Sequence, residues 1–314
     1  MERVGLIGWT QMLFITEQQV RENLPMPEAI RLMRETFQAL HNKTALNQPR
    51  RRLYLPTGTV FHSMAGAYGN YFGTKFYSAN PRYGAHFYFM LYDAKTAQPL
   101  ALMEANHLGQ IRTGAASGYA TDLLANPRAE TLGIIGSGFQ ARTQLEAIRA
   151  VRPIQTIYVW SRSEEKRRRF AEETSATAVD SAEKAADAQI VVTATNSKDP
   201  VLESRWIQPG TMNNAMGSNV ATRRELPSDL VKRANLIAVD SVEQAKIEAG
   251  DLLLADHWSN VVDLKDVKPS YDPNHITIFK SLGLGVEDVA AGAFIYERAL
   301  TTPERFADRN RAKR

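Results

Sequence analysis

From residue 131 onward, short apolar runs alternate with stretches whose apolar residues recur at helical spacing. The runs are Thr131–Ile135, Thr156–Trp160, Gln189–Ala194, Thr211–Met216 and Asn235–Val239. Behind the first of them, Ala141, Leu145, Ile148 and Val151 fall on one helical face, and Pro153 closes that helix. Such alternation predicts a parallel sheet with right-handed helical crossovers. The pattern ahead of residue 131 differs. Met12–Ile15 reads as a short strand, and Ala29, Ile30, Met33, Phe37 and Leu40 line one face of a helix over Pro27–Leu40. Residues 50–103 then carry strand-like runs, Leu53–Leu55, Val60–Phe61, Gly73–Tyr77 and His86–Tyr92, separated by Gly, Pro and Asn turns. This predicts a β-rich α+β unit. Arg112–Leu124, rich in small residues, is expected to be a connecting helix. Ser281–Glu297 reads as a glycine turn and an apolar helix that packs back on the first unit.

Chemistry enters where the first apolar run ends. Gly136-Ser137-Gly138-Phe139-Gln140-Ala141 lies between that strand and its helix. Gly136 permits a tight turn, Gly138 lets backbone approach a pyrophosphate, and the N–H groups opening the helix at Phe139 can bind it. Ala141 stands where the fingerprint accepts a third glycine or alanine. With its flanking strands this is a complete βαβ unit, which predicts a Rossmann dinucleotide-binding domain. The second strand ends in Ser161-Arg162-Ser163, where a carboxylate would select NAD by holding the ribose 2′-hydroxyl. A hydroxyl and a guanidinium suit a 2′-phosphate instead, so NADPH is favoured over NADH, with Arg162 as the recognising residue. The following Lys166–Arg169 run is mostly a solvated helix face balanced by Glu164, Glu165, Glu172 and Glu173.

Composition narrows the class without deciding it. The 314 residues suffice for two domains, and 44% hydrophobic with 23% charged residues is ordinary for a globular protein. The net charge is only +4, and the basic clusters Arg50–Arg52, Lys166–Arg169 and Arg305–Arg314 lack aromatic interleaving, so nucleic acid is not an expected partner. The chain has no cysteine, which excludes disulfides and thiolate catalysis. His41, His62, His86 and His107 show no metal-ligand spacing, and no metal is expected. No membrane-spanning run or signal peptide is apparent, so a cytoplasmic protein is expected.

Four ordered motifs carry a resemblance. Ile111-Arg-Thr-Gly-Ala-Ala-Ser-Gly118, Gly136–Ala141, Asn214-Ala-Met-Gly217 with Arg224-Glu-Leu226, and Phe279-Lys-Ser-Leu-Gly283 together resemble the ornithine cyclodeaminase/mu-crystallin family over essentially the whole chain. The resemblance implies a β-rich substrate-binding and dimerisation domain (1–118 with 284–314), a dinucleotide-binding domain (119–283) and a homodimer. It also implies site residues. Lys75 matches a lysine facing the substrate carboxylate and reacting nitrogen, and Arg112 an arginine that clamps the carboxylate. A second clamp arginine falls in Arg50-Arg51-Arg52, with the register open by one residue; Arg50 and Arg52 share a strand face, and Arg52 is favoured. Cofactor contacts are expected from Gly136, Ser137, Gly138, Phe139, Gln140, Ser161, Arg162 and Ser163, with Thr113, Thr193, Thr195, Ser281 and Gly283 toward the nicotinamide. His86 and Asn80 are further candidates from the β-rich unit.

The chain departs from the family at one informative place. Ornithine cyclodeaminases carry an aspartate where this sequence has Asn219. Cyclodeamination needs a base to take protons from ammonium groups, and an asparagine cannot accept and return a proton. Reduction of an imine needs hydride and orientation. The expected function is therefore NAD(P)H-dependent reduction of the C=N bond of a small anionic 2-imino acid to an L-amino acid, with Asn219 in the site. Alternatives are an alanine-type amino-acid dehydrogenase, an ornithine cyclodeaminase, or a mu-crystallin-like protein that binds NADPH and a small ligand without turnover. The side chain of the substrate stays open between cyclic imines, iminosuccinate and acyclic imino acids.

Overall fold

A computed structural model describes residues 12–302; the basic cluster at Arg305–Arg314 lies outside the described residues. The first half runs β1 (Leu13–Ile15), α1 (Glu17–Asn23), α2 (Met26–His41), β2 (Leu46–Asn47), β3 (Arg51–Tyr54), β4 (Val60–Tyr68), β5 (Tyr71–Asn80), β6 (Gly84–Asp93), β7 (Pro99–Glu104) and α3 (Asn106–Leu124). Its strands form a largely antiparallel sheet in the order β1-β7-β6-β5-β4-β2, with β3 paired to β4 and β1 parallel to β7. One face of this sheet is buried. Met64 on β4, Lys75 and Tyr77 on β5 and Phe89 and Leu91 on β6 point into it. The opposite face carries Phe61, Phe76 and Tyr88, with Phe61–Phe76 and Phe76–Tyr88 ring centroids 6.4 and 6.1 Å apart.

The second half continues β8 (Thr131–Ile135), α4 (Phe139–Val151), β9 (Thr156–Trp160), α5 (Glu164–Thr174), β10 (Thr177–Ala178), α6 (Ala182–Ala186), β11 (Ile190–Thr193), β12 (Met212–Ala215), α7 (Ser228–Arg233), β13 (Leu236–Val239), α8 (Val242–Glu248), α9 (Gly250–Leu253), β14 (Val261–Asp263), β15 (Thr277–Lys280) and α10 (Gly285–Thr301). These strands make an all-parallel sheet in the order β10-β9-β8-β11-β12-β15-β13-β14. The chain winds from β8 outward through β9 and β10, then returns to the other side of β8 at β11. Ligands bind at such a switch point, beyond the carboxyl ends of the strands.

The alternating pattern predicted the strands β8, β9, β11, β12 and β13 but not β15, which inserts between β12 and β13. Its signal is weak because one of its four residues is Lys280, a fully buried cation. The expected connecting helix starts earlier than Arg112, at Asn106, and its small residues Gly114–Gly118 let α2 and α4 approach it closely. The apolar helix α10 lies against β4 and β5, and the Val286 N–H donates to Asn47 Oδ1 at 3.2 Å. Among the described residues, no helix is long and apolar enough to cross a membrane.

Candidate active site

The glycine turn builds a crevice from backbone. Gly136 has φ +114°, a region that L side chains avoid, and a Cβ there would collide with the Ala194 carbonyl oxygen across the switch point. Its N–H donates to the Trp160 carbonyl at 2.8 Å, which ties the turn to the end of β9. Gly138 is the N-cap of α4 with no side-chain cap, so the first N–H groups of that helix stay open to a ligand. The crevice measures about 1030 Å³ and is lined by Gly136–Gln140, Trp160–Ser163, Lys166, Thr195 and Gly217, among others. Ser137 and Ser161 hydroxyls are 2.9 Å apart, and the Ser163 hydroxyl caps α5. This open helix end, the glycines and the adjacent Ser161–Ser163 segment fit a dinucleotide.

A second cavity of about 350 Å³ adjoins the crevice; Phe139, Gln140 and Met216 line both. Its walls include Arg50, Lys75, Tyr77, Phe87, Gln110, Arg112, Thr113, Asn219 and Ser281, and no Asp or Glu among the described residues lines it. The carboxylates sit behind the cations. Lys75 Nζ lies 2.9 Å from Asp288 Oδ1, and Arg112 reaches Asp288 Oδ1 and Glu287 Oε2, each at 3.0 Å. Arg50 donates to the Tyr77 hydroxyl and the Leu282 carbonyl, each at 2.6 Å, and its Nε is 3.3 Å from Glu248 Oε2. Unpaired cations buried this deeply would be strongly destabilising, so the rear carboxylates are a structural necessity of the site.

These surroundings retune the groups. Burial pushes the Lys75 ammonium down to about 7; Arg112 adds repulsion, and Asp288 pulls partly back. Burial works against ionisation of Asp288, yet Arg112 and Lys75 outweigh it and hold that carboxyl below its ordinary value. Glu287 is pushed up by burial and then by repulsion from Asp240 and Asp288, despite its pairing with Arg112. Arg112 loses by burial but is held charged by Asp288 and Glu287. Behind Arg50, burial and then Arg50 and Arg52 push His62 down to about 4, and its ring stacks on Tyr77 at 4.2 Å.

The structure gathers Lys75, Arg112, Thr113, Asn219 and Ser281 at the smaller cavity, and Gly136–Gln140, Ser161–Ser163 and Thr195 at the larger one. Three expected site residues are placed differently, and the two lesser candidates of the β-rich unit lie elsewhere. Arg50, not Arg52, lines the cavity; Arg52 turns to Glu248 at 2.6 Å and to the Asn219 carbonyl at 2.8 Å. Arg50 precedes β3, so strand alternation does not set its direction. Thr193 is fully buried within β11 and reaches neither cavity. Gly283 lines neither, being packed against the Arg112 guanidinium. His86 is exposed, and Asn80 donates to the Thr59 hydroxyl; both lie off the cavity walls. Sequence reasoning missed Tyr77, Glu248, Glu287 and Asp288. Glu287 and Asp288 were hard to read because they fall in the first turn of α10, where acids are ordinary at a helix N-terminus; only the packing shows them buried against Arg112 and Lys75.

Fold and site together define a Rossmann-type protein with a cation-lined cavity opening onto a dinucleotide crevice. The chain belongs to the ornithine cyclodeaminase/mu-crystallin family, whose pattern matches residues 10–303. It is 40% identical over 229 residues to a Delta(1)-pyrroline-2-carboxylate reductase of Bacillus cereus, covering 67% of this chain and 70% of that protein. It is 31% identical over 313 residues to an alanine dehydrogenase of Archaeoglobus fulgidus, covering 93% and 96%. The solved Delta(1)-pyrroline-2-carboxylate reductase of Thermococcus litoralis, in complex with NADH and L-proline, superposes with a TM-score of 0.88 at 31% identity, covering 93% of this chain and 98% of that one.

Proposed function

We propose that this protein is an NAD(P)H-dependent reductase that converts a small 2-imino acid to the L-amino acid. The observation that carries the reading is the small cavity itself. It offers Lys75, Arg50, Arg112 and Asn219, no lining carboxylate, and a shared wall with the glycine-turn crevice. Such a donor-rich surface suits an anionic acceptor, a carboxylate beside C=N. Gly136–Gln140 would hold the pyrophosphate, and the bound dinucleotide supplies the hydride that reduces the imine carbon. Arg50 and Arg112 hold the substrate carboxylate. Lys75 presents Nζ to the imine nitrogen and, with its proton loosely held near neutral pH, can pass it on. Arg52 turns away from the cavity to Glu248 and the Asn219 carbonyl, which leaves Arg50 and Arg112 to serve a single carboxylate. A monocarboxylate such as 1-pyrroline-2-carboxylate is therefore preferred over iminosuccinate, in keeping with the pyrroline-carboxylate reductases it resembles.

The same residues run backwards as an amino-acid dehydrogenase at high pH, a second reading favoured by the full-length likeness to an alanine dehydrogenase. Cyclodeamination is disfavoured by Asn219, whose amide oxygen, turned to its acceptor role, takes Arg50 Nη1 at 3.0 Å and Nη2 at 3.3 Å. A role that holds an apolar ligand without turnover is disfavoured by the donor-rich lining of Lys75, Arg50, Arg112 and Asn219, which such a ligand would desolvate without hydrogen-bonding. NADPH is the proposed preference, from Ser161, Arg162 and Lys166 on the crevice wall. The proposed division of labour gives substrate binding and dimerisation mainly to 1–118 with 284–314 and the dinucleotide to 119–283, from which Asn219 and Ser281 also reach the cavity. A homodimer is proposed through the open sheet face, where Phe14 is 55% and Phe61 40% exposed. The cytoplasm, with its reduced dinucleotide pool, is the proposed location. A panel of NADPH and NADH oxidation against cyclic imines, and against 2-oxo acids with ammonia or methylamine, tests the function. Oxidation of NADPH by a cyclic imine supports it; silence with every imine removes it.

A further inference from the structure

We propose that Glu225 is a positioning residue that fixes the shared wall between the dinucleotide crevice and the substrate cavity. The inference rests on the reading of that crevice as a dinucleotide site. Adjacent strands β11 and β12 part company at their carboxyl ends. The last bond between them is Met216 N–H to the Thr193 carbonyl at 3.0 Å, while Ala194 N–H turns to the Ile135 carbonyl of β8 at 2.9 Å. One residue further on, the Thr195 and Gly217 N–H groups have no strand to bond. Glu225 takes both. Its Oε1 accepts from the Thr195 N–H and hydroxyl, each at 2.7 Å, and its Oε2 accepts from the Gly217 N–H at 2.6 Å. The side chain is fully buried, and all three partners are donors, so the ionised form fits although burial pushes its pKa up.

The carboxylate is itself held. The Glu225 and Leu226 N–H groups donate to Asp251 Oδ1 at 2.6 and 2.9 Å, and Asp251 Oδ2 pairs with buried Lys280 at 3.0 Å. Lys280 also donates to the Ser218 carbonyl at 2.6 Å. The loop from Gly217 to Glu225 is thus pinned at both ends. Between the pins it presents Asn219 to Arg50 and Arg52. Gly217 leaves no slack, since a Cβ there would collide with the Thr195 carbonyl and with Glu225 Oε1. Thr195 and Gly217 line the crevice and Asn219 lines the cavity, so one carboxylate sets the geometry of both.

Glu225→Gln keeps the shape but turns an NH2 group toward a donor N–H, losing at least one of the three bonds and leaving that N–H unpaired. The expected result is a ten- to hundredfold rise in the NADPH dissociation constant, read by fluorescence titration of folded protein, together with a raised KM for the imine. Hydrogen exchange at the Thr195 and Gly217 amides should lose protection in this variant. Arg152→Gln is the control for simple destabilisation, since Arg152 binds Asp122 and the end of α3 and lines neither cavity. It should lower the melting temperature with NADPH affinity unchanged. If Glu225→Gln folds poorly, Gly217→Ala keeps the charge but drives a Cβ against the Thr195 carbonyl and the Glu225 carboxylate, breaking its grip on the strand ends, and should weaken NADPH in the same way. Wild-type affinity and wild-type amide protection in the Glu225 variant would overturn the proposal. Failure of the wild-type protein to bind any dinucleotide would instead remove the reading of the crevice, while exchange at the two amides still reports on the carboxylate.

Discussion

The two cavities of this protein are built by opposite means. The crevice at the parallel sheet is made of backbone: a left-handed glycine, an uncapped helix end and two strand termini. The cavity beside it is made of side chains delivered from far apart. Arg50 comes from the approach to β3, Lys75 from β5, Arg112 from α3 and Asn219 from the loop after β12, with Glu287 and Asp288 behind them on α10. A backbone site tolerates most side-chain changes and fails when a Cβ is added. A side-chain site tolerates backbone variation and fails when one charge loses its partner.

That difference gives variants of decreasing expected effect. Lys75→Ala should cut imine reduction by at least ~1000-fold, the upper part of the range for acid–base groups, with NADPH affinity nearly unchanged. Asp288 keeps Arg112 as partner in this variant, so folding should hold, and thermal melting checks it. Gly136→Ala attacks the other cavity, forcing a strained φ and a clash with the Ala194 carbonyl. Titration should show NADPH binding lost and melting show a cost of about 1–3 kcal/mol. Arg50→Gln should raise the KM for the imine more than Arg52→Gln does, by about ten- to a hundredfold against little change, the loss of one charge-assisted bond to a carboxylate being about 1.5–3 kcal/mol. Equal effects would return the clamp to Arg52. Arg162→Ala should raise the KM for NADPH about tenfold and leave NADH alone, as expected for one guanidinium–phosphate contact.

The pH profile sharpens the same contrast. Lys75 is protonated below about 7 and neutral above it. If it passes a proton to the imine nitrogen, kcat/KM for reduction should fall as pH rises through that value, while NADPH binding through backbone N–H groups stays flat. Asp288→Asn removes a group that holds the Lys75 proton, so the fall should move to lower pH.

How legible each region was in the sequence follows from how it is built. The glycine turn, its strands and Ser161–Arg162 lie within one contiguous βαβ unit, and local rules reach them. Lys75 and Arg112 could be read only by resemblance, because nothing near them in sequence says that β5 and α3 meet over α10. Arg50 was missed for Arg52 because the residue lies outside the strand whose alternation was used. Of the two threonines expected toward the nicotinamide, Thr195 lines the crevice and Thr193 does not: the strand still buries Thr193, and only at Thr195 do β11 and β12 separate. Glu225, visible only as part of a motif, gains a role once the strand ends are seen to diverge.

The most direct test of the account follows the hydride itself. Wild-type protein would be supplied with NADPH deuterated at nicotinamide C4 and 1-pyrroline-2-carboxylate, and the product analysed by mass spectrometry and NMR. The account predicts L-proline carrying a single deuterium at C2 when the transferred face is labelled, and at most a trace of it over the same time in the Lys75→Ala variant. Proline formed without label from either C4 position, or no reduction of this or any other 2-imino acid, would contradict it.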